Sequence, residues 1–312
     1  MAALAFFGLG LALGFNRLHA LNYDLDNGTF LQALVNFAHS GSFFNYGEGR
    51  SHMLVHDSWL LAVLSPFVAL MPTQETLIVA QVLLIAASGI VLYAFARTIG
   101  LADWPAACLA IAYLASPHAQ GFAYADFSES HFTPLLVFAL AIAAARKRLL
   151  WTLLIAQLLC GVKEDLALFL VWFGIAGAIW YDRRIGIGAA ALGAVNYAVY
   201  KIALLALGAH SVGPDYGLAI WYPHEAFVFF ALLLVPLLFA PLRLGWPVLL
   251  AVPLVVELLF GHVRHPLAAV GEHYTELLVA LAFIATALVF RRSPASRRSF
   301  SRSRCSPPCS ST

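Results

Sequence analysis

"LVHDSWLLAVLSPFVALM" (residues 54–71) is an eighteen-residue, mostly apolar run, and the number and direction of every later membrane segment depend on how it is read. A bilayer-spanning helix needs about 20 predominantly apolar residues. This run opens on His56 and Asp57 and carries Ser65-Pro66 in its interior. Proline removes a backbone donor and collides with the preceding turn, which shortens the usable helix. The stretch is therefore expected to be an interfacial or re-entrant helix and not a full span.

The rest of the chain makes that choice matter. Of its 312 residues, 62% are hydrophobic and only 11% charged, with a mean hydropathy of +0.83. Soluble domains carry about 25% charged residues, so this composition points to an all-α polytopic membrane protein. The net charge of +2 comes from a basic tail, and no basic patch alternates with aromatics, so no nucleic-acid partner is expected. Cys108 and Cys160 sit in apolar runs, Cys305 and Cys309 in the tail, and no CxxC occurs. Neither a zinc site nor a disulfide framework follows from them.

Cutting the apolar runs at their polar breaks gives ten candidate spans, at 1–18, 75–97, 102–117, 131–146, 149–162, 165–181, 185–207, 225–241, 245–261 and 273–290. The opening "MAALAFFGLGLALGF" lacks a charged start and an A-x-A site, so it reads as a first transmembrane helix and not as a signal peptide. With the N-terminus in the cytoplasm and 54–71 not crossing, the inner loops collect Arg97, Arg146, Lys147, Arg148, Arg183, Arg184, Arg243 and the tail from Arg291. Arg50, Lys163 and Arg264 remain outside, with Arg17 and Lys201 near span ends. If 54–71 crossed, the basic clusters would face out, against the positive-inside rule. The expected organisation is one transmembrane domain over 1–290, a first outer loop at 22–72 with interface helices, and a disordered Ser/Pro-rich basic tail at 291–312. A multi-pass protein of the cytoplasmic (inner) membrane with both termini inside follows.

This topology also sorts the acids and histidines. All eleven histidines and fourteen of sixteen acids fall at or near the outer side, with only Asp103 and Asp182 inside. Ionisable groups at membrane depth are costly and mark functional cavities. Four stretches carry most of them. In "LNYDLDNGTFLQALVNFAHSG" (21–41), Asp24 and Asp26 precede a run in which Phe30, Leu34, Phe37 and Ala38 repeat with helical spacing. An acid there acts as a general base or metal holder, or is simply a helix cap in a solvated loop. In "RSHMLVHDSW", His52 and His56 are four residues apart; two ligands do not make a metal site, and interfacial histidines explain them equally well. "SPHAQGFAYADFSESHFTP" (116–134) gathers His118, Asp126, Glu129 and His131 just before a span. "CGVKEDLALFL" sets Lys163, Glu164 and Asp165 between two apolar runs, either as a phosphate partner with balancing acids or as a charged hairpin with N-terminal acids. Arg264 is a second phosphate candidate, and "GEHYTE" adds Glu272, His273 and Tyr274 on the same side.

Taken together these stretches resemble a family of bacterial and archaeal integral membrane proteins of unknown function, grouped with the GT-C glycosyltransferases. The resemblance rests on "YDLDNGTFLQALVN" (Tyr23 to Asn36), His56 with its run to Pro72, "YADFSESHFTP", "KEDLAL" (Lys163 to Leu168) and a late "HYT" (His273 to Thr275), and it covers about residues 20 to 290. The chain departs from the pattern at Leu31, where the family carries a second acid, and in the spacing around His131. The resemblance implies a GT-C-like fold with Asp24 as base, Asp26 beside it as a neighbour or replacement, and a substrate site drawn from His56, Asp126, Glu129, His131, Lys163, Glu164, Asp165, Arg264 and His273. It implies a polyprenyl-phosphate-linked sugar as donor, with transfer to an unspecified acceptor at the outer face among membrane lipids. Some GT-C enzymes need no cofactor and others use a divalent cation, so the metal stays open. A secondary transporter or channel, or a noncatalytic protein of the same fold, are the alternatives. The one-sided distribution of ionisable groups and the lack of an alignable internal repeat weigh against transport.

Overall fold

The computed structural model describes residues 1–209, 215–217, 219–262 and 266–292. Its helices start and stop where the sequence offers a partner for the free backbone ends. Leu25–Ser40 (α2, after α1 at Ala2–His19) begins at Asp24, whose carboxylate accepts the Leu25 N–H at 2.8 Å, and ends at Gly41 in the left-handed region. Ser116 caps Pro117–Tyr124 by accepting the Ala119 N–H. Asp182 caps Arg183–Ala206 by accepting from Arg184 and Ile185.

The 54–71 stretch forms a 3-10 segment, Trp59–Leu64, and a six-residue helix, Ser65–Leu70 (α3). No helix of spanning length forms there, in keeping with the reading of the sequence. Phe30, Ala33 and Leu34 on α2 are buried, and α2 packs on α3 and on Gln74–Thr98 (α4). The connection between α2 and α3 also holds a two-residue antiparallel pair, Phe44–Asn45 (β1) with Arg50–Ser51 (β2).

Among the described residues, four helices are long and apolar enough to cross a membrane: α1, α4, Arg183–Ala206 (α10) and the last helix from His273 to Arg292. Between α4 and α10 lie Asp103–Leu114 (α5), Pro117–Tyr124 (α6), Thr133–Ala145 (α7), Leu149–Cys160 (α8) and Glu164–Trp180 (α9). Twelve residues of α-helix extend about 18 Å, short of the roughly 30 Å hydrocarbon layer. The structure therefore supports a helical membrane protein with four span-length helices and several shorter apolar ones, where the sequence suggested ten full spans.

The largest departure lies after α10. The runs 225–241 and 245–261 were expected as two spans. They fold instead as Pro223–Leu234 (α11), 3-10 segments at Ala240–Leu244 and Trp246–Ala251, and Val252–Phe260 (α12). Pro236, Pro241, Pro247 and Pro253 punctuate this region, and each deletes a helical donor. Asp215–Tyr216 (β3) and Gly261–His262 (β4) pair beside it. Glu276–Arg292 (α13) closes the described chain; Arg264 and the tail from 293 lie outside the described residues.

Small residues bring the helices together. A Cβ on Gly10 or Gly14 of α1 would come within 2.6 Å of Val82 or Ile78 of α4. On α9, a Cβ at Gly174 would meet the Ala190 backbone at 2.5 Å. Close helix approach through small residues replaces the hydrophobic drive that a lipid solvent lacks. The bundle has two chemically distinct ends. At the basic end Arg97 pairs with Asp103 (3.0 Å), Lys147 with Asp182 (3.8 Å), and Arg146 reaches Thr98 (3.2 Å). Asp103 and Asp182, the two acids that the sequence separated from the rest, thus find their partners among these basic residues.

Candidate functional site

The opposite end, here the polar end, is built on two tight turns. The first is the loop 125–132 between α6 and α7. Gln81 of α4 donates its side-chain amide to the carbonyls of Phe122 and Ala125 (2.5 and 3.0 Å). The buried Asn27 of α2 accepts the Phe127 N–H at 2.6 Å. Ser128 caps the short 3-10 turn Glu129–Phe132. These bonds fix Glu129 and His131 inside the protein, 3% and 0% exposed. His131 pairs with Glu276 at the start of α13 (2.5 Å) and also meets the Asp126 carbonyl (3.2 Å).

The second turn is Gly161–Lys163, between α8 and α9. The Gly161 carbonyl accepts the Leu60 N–H (2.8 Å), and the Trp59 ring lies against the glycine where a Cβ would come within 2.2 Å. Lys163 is buried, 3.9 Å from Glu129, with its ammonium 4.7 Å from the Tyr274 ring centre. Glu164, in the first turn of α9, faces the other way. One carboxylate oxygen meets His56 Nδ1 at 3.0 Å, and the other accepts the Asp57 N–H at 3.1 Å. His52 pairs with Glu48 (2.8 Å), which is itself held by Asn45, and the rings of His52 and His56 lie 5.7 Å apart.

The charge states follow from this arrangement. Burial alone would push the Glu129 carboxyl up, but the Lys163 ammonium, helped by His52 and His56, outweighs it and holds the group at about 2. Burial works against the Lys163 charge too; Tyr274, Glu129, Asp165 and Glu164 more than reverse it and raise the group above its ordinary value. Burial pulls His52 down, and the Glu48 hydrogen bond with the Glu129 charge overcomes this and raises it. Asp57 has no such compensation. Burial, with Glu164 beside it, pushes its carboxyl up to about 6.

Most sequence-singled residues lie here: Glu129 pairs with Lys163, His56 pairs with Glu164, His131 shares the Glu129 turn and pairs with Glu276, and Asp165 and His273 stand in the wall of a small pocket beside Lys163, of about 20 Å³. That is room for about one water. Asp126 and Asp24 belong to a neighbouring group. The Asp126 carboxylate takes Arg17 of α1 at 2.8 Å and the Asp24 N–H at 2.8 Å. Asp24 is exposed and caps α2, and Asp26 is exposed in the first turn of that helix. The two groups share one loop, because Asp126 is three residues from Glu129, about 10 Å of chain at most. Among the described residues, no three His, Cys, Asp or Glu side chains are grouped to hold a metal ion; His52 and His56 each face a separate carboxylate.

Three carboxylates were not picked from the sequence. Glu276, inside "GEHYTE", opens an apolar helix, and an acid in that place is itself a signal. Glu257, in the pocket wall, is likewise a lone acid in an apolar run. Glu48 sits in a polar loop and carried no signal at all.

A helical bundle with span-length apolar helices and a buried ionisable cluster at one end defines a polytopic membrane protein. The chain belongs to the family DUF2079, described as a predicted membrane protein, which matches residues 17–212. That range takes in both turns of the site, the first loop and α10, and leaves out α11 to α13. No curated protein matches the chain.

Proposed function

We propose that this protein is a membrane glycosyltransferase of the GT-C type, moving a sugar from a polyprenyl-phosphate carrier to an acceptor at the outer face of the cytoplasmic membrane. The observation that carries the reading is Lys163, a cationic side chain buried at the polar end beside Glu129 and the Tyr274 ring. A buried cation is costly unless it serves an anion, and a departing lipid phosphate is such an anion. In this scheme the polar end faces out, and both termini lie in the cytoplasm.

The chemistry balances without a co-reactant. The acceptor hydroxyl or amine gives its proton to a carboxylate, Asp24 by the family resemblance. Its freed electron pair attacks the anomeric carbon from the face opposite the leaving group. The carbon–oxygen bond to the lipid phosphate breaks, and the phosphate departs toward Lys163 with the electron pair of that bond. The pocket beside Lys163 is too small for a sugar, so the donor enters by displacing the α12 wall, where Leu254 and Glu257 stand and the prolines have already broken the helix.

Asp24→Asn tests the assignment cleanly. Asparagine caps helices as well as aspartate does, so folding is expected to hold while sugar transfer in proteoliposomes supplied with a polyprenyl-phosphate sugar falls by roughly 10²-fold or more, as for loss of a general base. Unchanged transfer by Asp24→Asn would remove Asp24 from the mechanism. Unchanged transfer by Lys163→Gln as well would sink the reading.

A further inference from the structure

A second cavity, of about 310 Å³, lies between residues 53–59 and α10. Its polar lining is Asp57, Asn196 and Tyr200. Two of these are already engaged. Tyr200 donates its hydroxyl to the Val55 carbonyl at 3.0 Å, and Asn196 exchanges two hydrogen bonds with Gln157 of α8 (2.9 and 3.0 Å). The Asp57 carboxylate accepts no hydrogen bond from the described residues. Its backbone is held by Glu164, and Glu164 is turned toward His56. Trp59, wedged on Gly161, forms part of the same wall.

The remaining lining is apolar. Val199 on α10 and Leu207 just past its end are 61% and 67% exposed, and α10 is long and apolar enough to cross the membrane. A cavity with such a rim opens sideways to lipid, and a half-buried carboxylate with unfilled acceptor capacity stands at its inner wall. A carboxylate gains about twice as much from a charged donor as from a neutral one, so the matching head is an ammonium, and the matching body is a hydrocarbon chain.

We propose that this cavity binds a membrane lipid bearing a primary amine headgroup, with the ammonium on the Asp57 carboxylate and the chains passing out between residues 53–54 and α10. The half-buried Asp57 carboxylate lines the cavity with no donor from the described residues, which favours a cationic partner. Binding at this cavity stands apart from the transferase reading and does not depend on it.

The full chain in nanodiscs, labelled with photoreactive phosphatidylethanolamine or the matching phosphatidylcholine, tests this. The choline head has no N–H to donate. A charge-assisted hydrogen bond is worth about 1.5–3 kcal/mol, so the amine lipid should label residues 53–59 or 196–207 roughly ten-fold more than the choline lipid. Asp57→Asn should bring the ratio near one. Val199→Trp, at an exposed rim position, should lower labelling by the amine lipid with Asp57 intact. Equal labelling of the two lipids in the unaltered protein, a preference that survives Asp57→Asn, or stronger labelling by phosphatidylglycerol, whose head offers hydroxyls, would each overturn the proposal. Loss of lipid selectivity with sugar transfer retained counts against this site alone. Absence of transfer with selectivity retained counts against the transferase reading alone.

Discussion

Individual side chains at the polar end are legible as chemistry because burial there forces each charge to have a partner. Lys163 and Glu129 are both nearly sealed from solvent, and removing one member of a buried pair strands the other at a cost of about 3–5 kcal/mol. Lys163→Met should lower the thermal stability of the purified protein in detergent by that order, and adding Glu129→Gln should recover most of it; a double variant as unstable as the single one would mean that the pair is not coupled. Asp57 behaves in the opposite sense. Its carboxyl is raised to about 6 in the folded protein from an unfolded value of roughly 4. The folded state then holds more protons than the unfolded one between these values, so this group's contribution falls as pH rises from about 4 to 6. Glu129, lowered to about 2, loses its contribution only as pH drops below roughly 4.5. Asp57→Asn should therefore flatten the decline between pH 4 and 6 and leave the protein at least as stable at pH 7, which melting curves across that range would show. Lys163, Glu164 and Asp165 were visible from "KED" because three consecutive charges between apolar runs have few structural excuses. Asp24 was visible too, yet its two readings, base and cap, could not be separated; the structure adds that it does cap α2, with the Leu25 N–H on its carboxylate.

Between elements, what matters is the docking of the first loop on the turn before α9. Trp59 packs on Gly161, and Leu60 bonds to the same residue's carbonyl. These contacts bring His56 and Asp57 to Glu164, more than a hundred residues away in sequence. Gly161→Val would drive its side chain into the indole, an overpacking that costs about 1–3 kcal/mol. Its measurable signature should be greater protease sensitivity of residues 50–60; a wild-type cleavage pattern would show that the loop docks by other contacts. The apolar spacing of Phe30, Leu34, Phe37 and Ala38 marked a helix in the sequence, with Asp24 as one candidate cap; the structure runs it from Leu25 to Ser40 and ends it at Gly41. The sequence did not reveal the pairing of Glu48 with His52 or of His131 with Glu276. The first depends on how a polar loop folds back, and the second joins segments 145 residues apart.

Across the whole molecule, opposite chemistry at the two ends is the organising fact. The basic end, from Arg97 to Arg184, and the polar end, from Glu48 to Glu276, are separated by the length of α4 and α10. If the polar end faces out, a single cysteine at Glu48 in a cysteine-free background should react with a membrane-impermeant maleimide in intact cells, and one at Lys147 only after permeabilisation. The reverse pattern would invert the proposed orientation. The alternation of apolar runs is a local, additive property, and composition and spacing by themselves determined the membrane class and the helical fold. Helix length was not determined in that way. The short helices α5, α7, α8 and α11, and the broken region from 235 to 251, depend on where caps, prolines and neighbouring helices end each hydrogen-bond ladder. Nor could the sequence place Asp126 with Arg17 and Asp24, Glu129 with Lys163, or Asp57 at the wall of its own cavity. Those outcomes required the chain to bring distant turns together, because only in the packed bundle, with water excluded, must each buried charge settle on one partner.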